Sequence, residues 1–180
     1  MRNLRQILRG VISFRHHYIM NLKLSDLPER EFDSNDNLVL VCRGAQLIDG
    51  TYSKSLMGKI MNRNIGKYET FLLNNSANET VGIISVMYKG GNELEYRIRN
   101  IDAFVFNVLV KENSRGRGYA GIMIEELGKH LKDRGIQEAY LAVSVDNNSA
   151  IKAYEKAGFN TVCEKKFIRV LKKNVPYHWL

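Results

Sequence analysis

The chain has 180 residues, of which 44% are hydrophobic and 26% charged, a balance that fits one soluble globular domain and excludes a disordered or fibrous chain. Lys and Arg exceed Asp and Glu by 27 − 19 = 8, which suits an anionic ligand or a nucleic acid and decides neither. Two distant cysteines exclude paired metal or redox motifs, and no apolar run approaches the ~18–20 residues of a membrane span. We therefore expect a cytoplasmic protein that holds no metal and does not associate with membranes.

The first half of the chain predicts a hairpin and one helix. Residues 1–23 are basic and leave two structures open, because the early apolar residues have helical spacing whereas residues 18–24 alternate like a strand. The further predicted elements are a loop over 25–37, a strand over 38–42, a helix over 48–61 and two strands over 69–73 and 80–88 around a turn at 74–78.

The second half of the chain alternates between strands and helices. The strand that ends at Val110 is apolar on both faces, which predicts a central position in a sheet. The further elements are a helix from Gly118 to Gly135, a strand over 139–145, a short helix that ends at Gly158 and two closing strands over 159–163 and 167–171. The strand over 139–145 runs parallel to its predecessor if the intervening helix crosses over. The order predicts a single mixed α/β domain over 1–180.

Residues 116–121 (Gly-Arg-Gly-Tyr-Ala-Gly) match G-x-G-x-x-G at the start of a predicted helix. Backbone N–H groups and the positive end of the helix dipole bind phosphate in such a place. A dinucleotide-binding domain needs the first glycine directly after the strand and an acid at the end of the next strand. Here residues 111–115 intervene, and too little chain follows Asp146 to complete such a domain. The loop therefore predicts another phosphate-bearing ligand.

Two motifs identify a candidate family. Residues 115–120 (Arg-Gly-Arg-Gly-Tyr-Ala) resemble the R/Q-x-x-G-x-G/A loop of the GNAT superfamily of acyl-CoA-dependent N-acyltransferases. Residues 147–159 are similar to the second motif of that family, N-x-x-A-x-x-x-Y-x-K-x-G-F. Both occur in the family's order with a strand between them. The resemblance covers about 38–171 and leaves 1–37 as an N-terminal extension.

The resemblance implies a fold. It is of the α/β class (α+β type), with a single mixed, mostly antiparallel sheet of about six to seven strands and helices on both faces. The central parallel pair, here 101–110 and 139–145, splays apart, and a bulge interrupts the first of these strands.

The resemblance also implies acetyl-CoA as co-substrate. The strand residues that would bind the pantetheine are Val108, Leu109 and Val110, with a backbone N–H near Leu109 or Val110 polarising the thioester carbonyl. The loop residues that would bind the pyrophosphate are Arg115, Gly116, Arg117, Gly118, Tyr119, Ala120 and Gly121. Asn147 would donate a hydrogen bond to the pantetheine arm.

The catalytic assignment implied by the resemblance is Tyr154 as general acid, which protonates the departing CoA thiolate during direct attack by a primary amine in a ternary complex. The general base is not identified, because Ala142 and Phe104 stand where relatives often carry glutamate. The alternatives left open are Asp102, Glu95, His16 and His17.

The acceptor is the least determined part. Family resemblance locates acceptor contacts at about 44–66, 74–79 and 163–175, and nearby basic residues favour an anionic small molecule such as a nucleotide-linked amino sugar. A protein N-terminus or lysine, a polyamine and a small amino acid remain open. So do a non-catalytic acyl-CoA-binding regulatory domain and a homodimer through sheet edges. A nucleic-acid-binding module is disfavoured, since the basic segments lack an interleaved aromatic platform.

Overall fold

One mixed sheet organises the computed structural model, which describes residues 12–28, 38–42, 68–88, 102–170 and 177–179. Its strands are β1 (Ile12–Lys23), β2 (Val39–Cys42), β3 (Tyr68–Asn74), β4 (Thr80–Tyr88), β5 (Ala103–Val110), β6 (Glu138–Ser144), β7 (Asn160–Val170) and β8 (Tyr177–Trp179). The helices are α1 (Tyr119–Asp133) and α2 (Asn148–Lys156). Neither of these two helices has the length and apolar character needed to cross a membrane.

The sheet has the strand order β2-β3-β4-β5-β6-β1-β7-β8. Strands β5 and β6 run parallel, and the other described strand pairs are antiparallel. The predicted fold class is confirmed, with eight strands in the described part against the expected six or seven. The helix predicted over 48–61 lies outside the described residues.

Strand β1 decides the open question about the basic N-terminal segment. Residues 12–23 are a strand between β6 and β7, in agreement with the alternation seen in the sequence, whereas the helical spacing before residue 12 lies outside the described residues. Met20 and Leu22 are buried on one face, and Ile19 is buried on the other. Burial on both faces is typical of a strand inside a sheet.

The prediction of two closing strands is wrong, because β7 is one continuous strand from Asn160 to Val170. The polar stretch Glu164–Lys166 suggested a break, yet it contains no glycine or proline and pairs with Tyr18, His17 and His16 of β1. Backbone pairing to an inner strand is sufficient to keep polar residues in extended conformation. Strand β8 was not predicted.

Strand alternation gives the sheet two distinct faces. The helical face packs against α1 and α2 through one apolar cluster, which includes Met20, Leu22, Val105 and Leu141 from the strands and Met123, Leu127 and Tyr154 from the helices. The opposite face carries buried side chains outside that cluster, among them Ile19, Leu72, Met87 and Phe104. Both faces are therefore buried near the centre of the sheet.

Helix α1 ends where the sequence predicted. Gly135 has a φ of 73°, and Ile136 N donates to Leu131 O at 3.1 Å, so the chain reverses through a left-handed residue. Gly128 allows the segment after β1 to pack closely against α1, because a Cβ there would lie 2.7 Å from Leu27 Cδ2.

A polar cluster ties the C-terminal end of α1 to β3 and β4. Glu69 Oε2 accepts from Tyr88 OH at 2.5 Å and lies 3.0 Å from His130 Nε2, while Glu69 Oε1 accepts from Arg134 Nη2 at 2.6 Å. Burial raises the pKa of Glu69, but the hydrogen bonds from Tyr88 and His130 and the charge of Arg134 outweigh burial and lower the pKa overall. The carboxylate is thus held in its charged form.

We expect Glu69→Gln to lower the free energy of unfolding at pH 7 by about 2 kcal/mol, since the charged acceptor of these hydrogen bonds is lost. The folded-state pKa lies below the ordinary value of 4.5, so this contribution exists above that pH and is lost as pH falls through the folded-state pKa. Urea unfolding of both proteins between pH 3 and 7 measures it. Glu126→Gln, which removes an exposed partner of Lys129 on α1, should cost less than about 0.5 kcal/mol; an equal cost for both variants would contradict the assignment.

Candidate active site

A gap between β5 and β6 is the main feature of the site. The two strands pair only through Ala103–Ala139, Phe104–Tyr140 and Val105–Leu141. Beyond these pairs Asn107 adopts a φ of 51°, and the register of β5 against β4 shifts by one residue between Ile83 and Ser85. The shift is a bulge on β5, which turns the rest of the strand away from β6. The predicted splayed parallel pair and its bulge are confirmed.

Each strand keeps a partner on its far side as the gap opens. Strand β5 continues along β4 to Val110, and β6 continues along β1 to Ser144. Leu109 is 54% exposed, although it sits in the middle of the sheet. An extended ligand between the strands would meet the backbone edge of β5.

The glycine loop lies at the end of this gap. Gly116 and Gly118 have φ values of 80° and 79°, and a Cβ at either residue would meet nothing within 4 Å. Gly118 is the N-terminal cap of α1, and its carbonyl accepts from Ile122 N at 3.2 Å. The N–H groups in the first turn of an α-helix point beyond its N-terminal end, where they and the helix dipole favour binding of an anion. The N–H of Gly121 instead donates to Gly118 O at 2.9 Å.

The two arginines of the loop have different settings. Arg115 Nε donates to the carbonyl of Val110 at 3.3 Å, which ties the loop to the end of β5. Arg117 lines a cavity of about 300 Å³ between the β3–β4 turn and the segment before α1, together with Lys111, Asn113 and Glu79. That cavity borders the loop but has no lining residue from β6 or α2, so it is distinct from the gap.

Asn147 begins α2 at the end of β6. Its Oδ1 accepts from Ala150 N at 3.3 Å and from Ser149 Oγ at 3.2 Å, the arrangement of an N-terminal cap. Because β5 and β6 are parallel, their C-terminal ends meet at one edge of the sheet, and Asn147 lies at the same edge as the glycine loop.

Tyr154 lies on the helical face within α2. It is 9% exposed, and its ring centroid is 6.1 Å from that of Phe159. Burial raises the pKa of its hydroxyl to about 12. The hydroxyl therefore keeps its proton throughout the neutral range.

The candidate bases are spread over both faces and one end of the sheet. His16 is on the helical face, where its Nε2 lies 2.8 Å from Glu164 Oε2. His17 pairs with Ser144 and lies on the sheet face opposite the helices. Asp102 is half-buried before β5, and Glu95 lies outside the described residues.

A polar group on the opposite face was not found from the sequence. Tyr140 OH donates to Glu138 Oε2 at 2.8 Å, and burial together with Glu138 raises the pKa of Tyr140 to about 12. The side chain of Asn21 reaches the same carboxylate at 3.5 Å. The alternation along β6 could have indicated that Glu138 and Tyr140 share a face, since Ala139 and Leu141 are buried on the other face. No group of three or more metal-ligating side chains occurs in the described ranges.

The parallel strands splay apart, and a glycine loop and a helix N-terminus lie at the end of the gap. This arrangement is typical of proteins that bind an extended, phosphate-bearing ligand. The profile of the "Acetyltransferase (GNAT) family" matches residues 46–159, which is more than half of the chain. The chain belongs to this family.

The matches to sequence relatives cover only part of each chain. The chain is 35% identical over 65 residues to [ribosomal protein bS18]-alanine N-acetyltransferase of Haemophilus influenzae, a match that covers 36% of this chain and 44% of the relative. It is 33% identical over 73 residues to mycothiol acetyltransferase of Corynebacterium aurimucosum, covering 39% and 24% of the two chains. The chain thus spans less than half the length of these curated relatives.

Solved structures support the fold. A GCN5-related N-acetyltransferase from Sphaerobacter thermophilus superposes with a TM-score of 0.60 at 16% identity, covering 97% of this chain and 57% of that one. An acetyltransferase from the GNAT family of Colwellia psychrerythraea gives 0.58 at 15% identity, covering 94% and 61%.

We expect alanine substitutions at Gly118 and Gly121 to change the free energy of unfolding in opposite directions. Gly118→Ala should lower the free energy of unfolding by about 1–2 kcal/mol, because a side chain is strained at a φ of 79°. Gly121→Ala should raise it by about 0.5–1 kcal/mol, since Gly121 lies inside α1 and its Cβ would also meet nothing. Denaturant unfolding of the two variants measures this, and a stabilising Gly118→Ala would contradict the left-handed loop.

Proposed function

We propose that this protein is an N-acetyltransferase that moves the acetyl group of acetyl-CoA to a primary amine by direct attack in a ternary complex. The observation that carries the proposal is the gap between β5 and β6, which opens after Val105–Leu141 and ends at the positive-φ loop of Gly116 and Gly118. Membership of the GNAT acetyltransferase family supports acetyl-CoA as the ligand of this gap.

In this proposal the pantetheine arm lies in the gap as an added strand. The backbone of Val108–Val110 pairs with its amides, and Asn147 donates through Nδ2 while Oδ1 continues to cap α2. The pyrophosphate lies over the loop, where Gly116 and Gly118 allow close approach of the backbone. Arg115, Arg117, Tyr119, Ala120 and Gly121 complete the loop and the first turn of α1.

A backbone N–H at Leu109 or Val110 would polarise the thioester carbonyl. Charge develops on that oxygen during attack by the amine, and a donor fixed by strand pairing stabilises it without reorganisation. The pairing of Leu109 with Ile83 and of Val110 with Gly82 holds this segment.

Tyr154 would protonate the departing thiolate. Its pKa of about 12 means that it holds a proton at any physiological pH. A thiol has a pKa near ~8.5, so full transfer to a finished thiolate would be uphill. We therefore assign a donation that proceeds while the C–S bond breaks and negative charge accumulates on sulfur.

The acceptor we propose is an anionic small molecule such as a nucleotide-linked amino sugar. The described residue that supports it is Lys165 on β7, which pairs with His17 and lies on the sheet face opposite the helices. A second candidate, a protein N-terminus, is favoured by the similarity to two enzymes named for acetylating an alanine of a ribosomal protein.

An assay of thiol release from acetyl-CoA tests the function. The panel contains a nucleotide-linked amino sugar, a peptide with an N-terminal alanine, a neutral amine and a polyamine. Turnover with the amino sugar alone supports the first acceptor, and turnover with the peptide alone supports the second. Binding of acetyl-CoA with no turnover for any amine would indicate a regulatory domain instead.

Tyr154→Phe should lower kcat by roughly 10²-fold and leave the KM for acetyl-CoA unchanged, because a general acid acts in the transition state. Since the pKa is about 12, kcat of the unaltered protein should not fall through tyrosine ionisation up to pH 10. The control is Tyr88→Phe, which removes a hydroxyl bonded to Glu69 far from the gap. Single-turnover rates equal to those of the unaltered protein would rule out the acid role.

A further inference from the structure

A cavity borders the glycine loop on the β4 side of β5, whereas the gap lies on the β6 side, and Arg117 of the loop is part of its lining. It forms where β4 and β5 are joined, since Lys111 N donates to Val81 O at 2.9 Å and both residues line it. Val81 and Tyr119 belong to the buried core cluster and close the cavity toward the core. Its volume of about 300 Å³ is at the lower end for ligand pockets, so it suits a small molecule or one group of a larger one.

Hydrogen bonds to the backbone fix both walls of this cavity. In the β3–β4 turn, Asn75 Oδ1 accepts from Ala77 N at 3.1 Å and from Glu79 N at 2.9 Å. In the segment before α1, Ser114 N donates to Lys111 O at 2.9 Å, and Ser114 is buried. Because neither wall depends on a ligand for its shape, little conformational freedom would be lost on binding. The cavity is thus pre-formed.

The neutral polar side chains of the lining favour a ligand that accepts hydrogen bonds. Asn113 Oδ1 accepts from Ser114 Oγ at 3.2 Å, and Asn75 Nδ2 donates to Glu79 Oε2 at 3.2 Å. These bonds occupy acceptor atoms of the lining and leave the Nδ2 group of Asn113 as a donor.

The charged residues of the lining have the same preference. Lys111 and Arg117 are cationic, and Glu79 is the acid among the described lining residues. Within the described ranges no carboxylate forms an ion pair with Lys111. A guanidinium has five N–H donors in a fork that matches phosphate oxygens, so Arg117 can serve the loop and the cavity together. Such a lining suits a phosphate monoester, which has three acceptor oxygens and about −1.5 to −2 charges at pH 7.

We propose that this cavity binds a phosphate monoester, with Lys111 and Arg117 contacting its oxygens. Two kinds of molecule present that group. One is acetyl-CoA itself, whose ribose carries a 3′-phosphate. This source rests on the proposed function, in which the pyrophosphate over Gly116 and Gly118 brings the ribose near Arg117. The other is a separate phosphorylated molecule that binds beside the loop.

Titration of the full chain with inorganic phosphate, followed by calorimetry, tests the cavity in the absence of acetyl-CoA. Lys111→Gln should weaken phosphate binding roughly 5-fold, the scale of one exposed charge pair, because the backbone bond to Val81 is kept and the charge is lost. Glu79→Gln should strengthen binding, since a negative charge is removed while an amide oxygen still accepts from Asn75. The matched control is Lys132→Gln, at an exposed lysine of α1, which changes the net charge equally and should leave phosphate binding unchanged.

Comparison of CoA with dephospho-CoA, which lacks the 3′-phosphate, identifies the source of the group. If CoA supplies it, the unaltered protein binds CoA more tightly than dephospho-CoA, and Lys111→Gln reduces that preference roughly 5-fold. If a separate molecule supplies it, Lys111→Gln weakens the binding of inorganic phosphate and leaves the ratio of the two CoA affinities unchanged.

The proposal is overturned if Lys111→Gln changes neither the affinity for phosphate nor the preference for CoA over dephospho-CoA, or if Lys132→Gln changes them as much. If Lys111→Gln does not fold, Glu79→Gln decides: tighter phosphate binding supports the proposal, and unchanged or weaker binding overturns it. Absence of binding for both CoA and dephospho-CoA would instead overturn the proposed acetyl transfer, and the phosphate titration would still decide the cavity.

Discussion

The parallel pairing of β5 with β6 stops after three residue pairs, and the site depends on this stop. Asn107 adopts a left-handed conformation that costs a non-glycine residue about 1–2 kcal/mol. The surrounding sheet sustains the cost, because β4 and β1 hold β5 and β6 from their outer sides. Backbone groups along the inner edges must then be satisfied by water or a ligand. The bulge thus opens an extended gap in the middle of the sheet.

Rigidity at the two ends of α1 has different origins. At its C-terminal end, Glu69 receives hydrogen bonds from Tyr88 and Arg134 and contacts His130, which fixes the helix on β3 and β4. At its N-terminal end, the chain turns through two left-handed glycines that make no close packing contact. The helix is therefore anchored at its C-terminal end, and its N-terminal end lies at the glycine loop beside the gap. Packing positions the loop, and its two glycines carry no side chain over the start of α1.

The second half of the chain could be predicted from sequence because its signals are local. Gly118, Gly135 and Gly158 punctuate the helices, and each has a positive φ. The sequence failed where pairing partners decide structure: Glu164–Lys166 was interpreted as a break but pairs along β1. As candidate bases His16 and His17 were equivalent in sequence for the same reason. Only the register of β1 against β6 and β7 separates them, since neighbouring residues on a strand point to opposite faces.

Sequence similarity is therefore more informative about the residues that would bind the donor than about those that would bind the acceptor. In the proposed function the donor half would be one continuous stretch, from the bulge at Asn107 to α1, with Asn147 and Tyr154 in a second short stretch. The strands on either side of the gap are different, since β6 lies next to β1 and β1 next to β7, and these neighbours are separated by most of the chain. The two partially matching enzymes are named for different acceptors, a ribosomal protein alanine and mycothiol. In the proposed acetyl transfer, the donor would be bound by residues that are close together in the sequence, so a sequence motif can reveal them. The acceptor would depend on side chains that only strand register brings together.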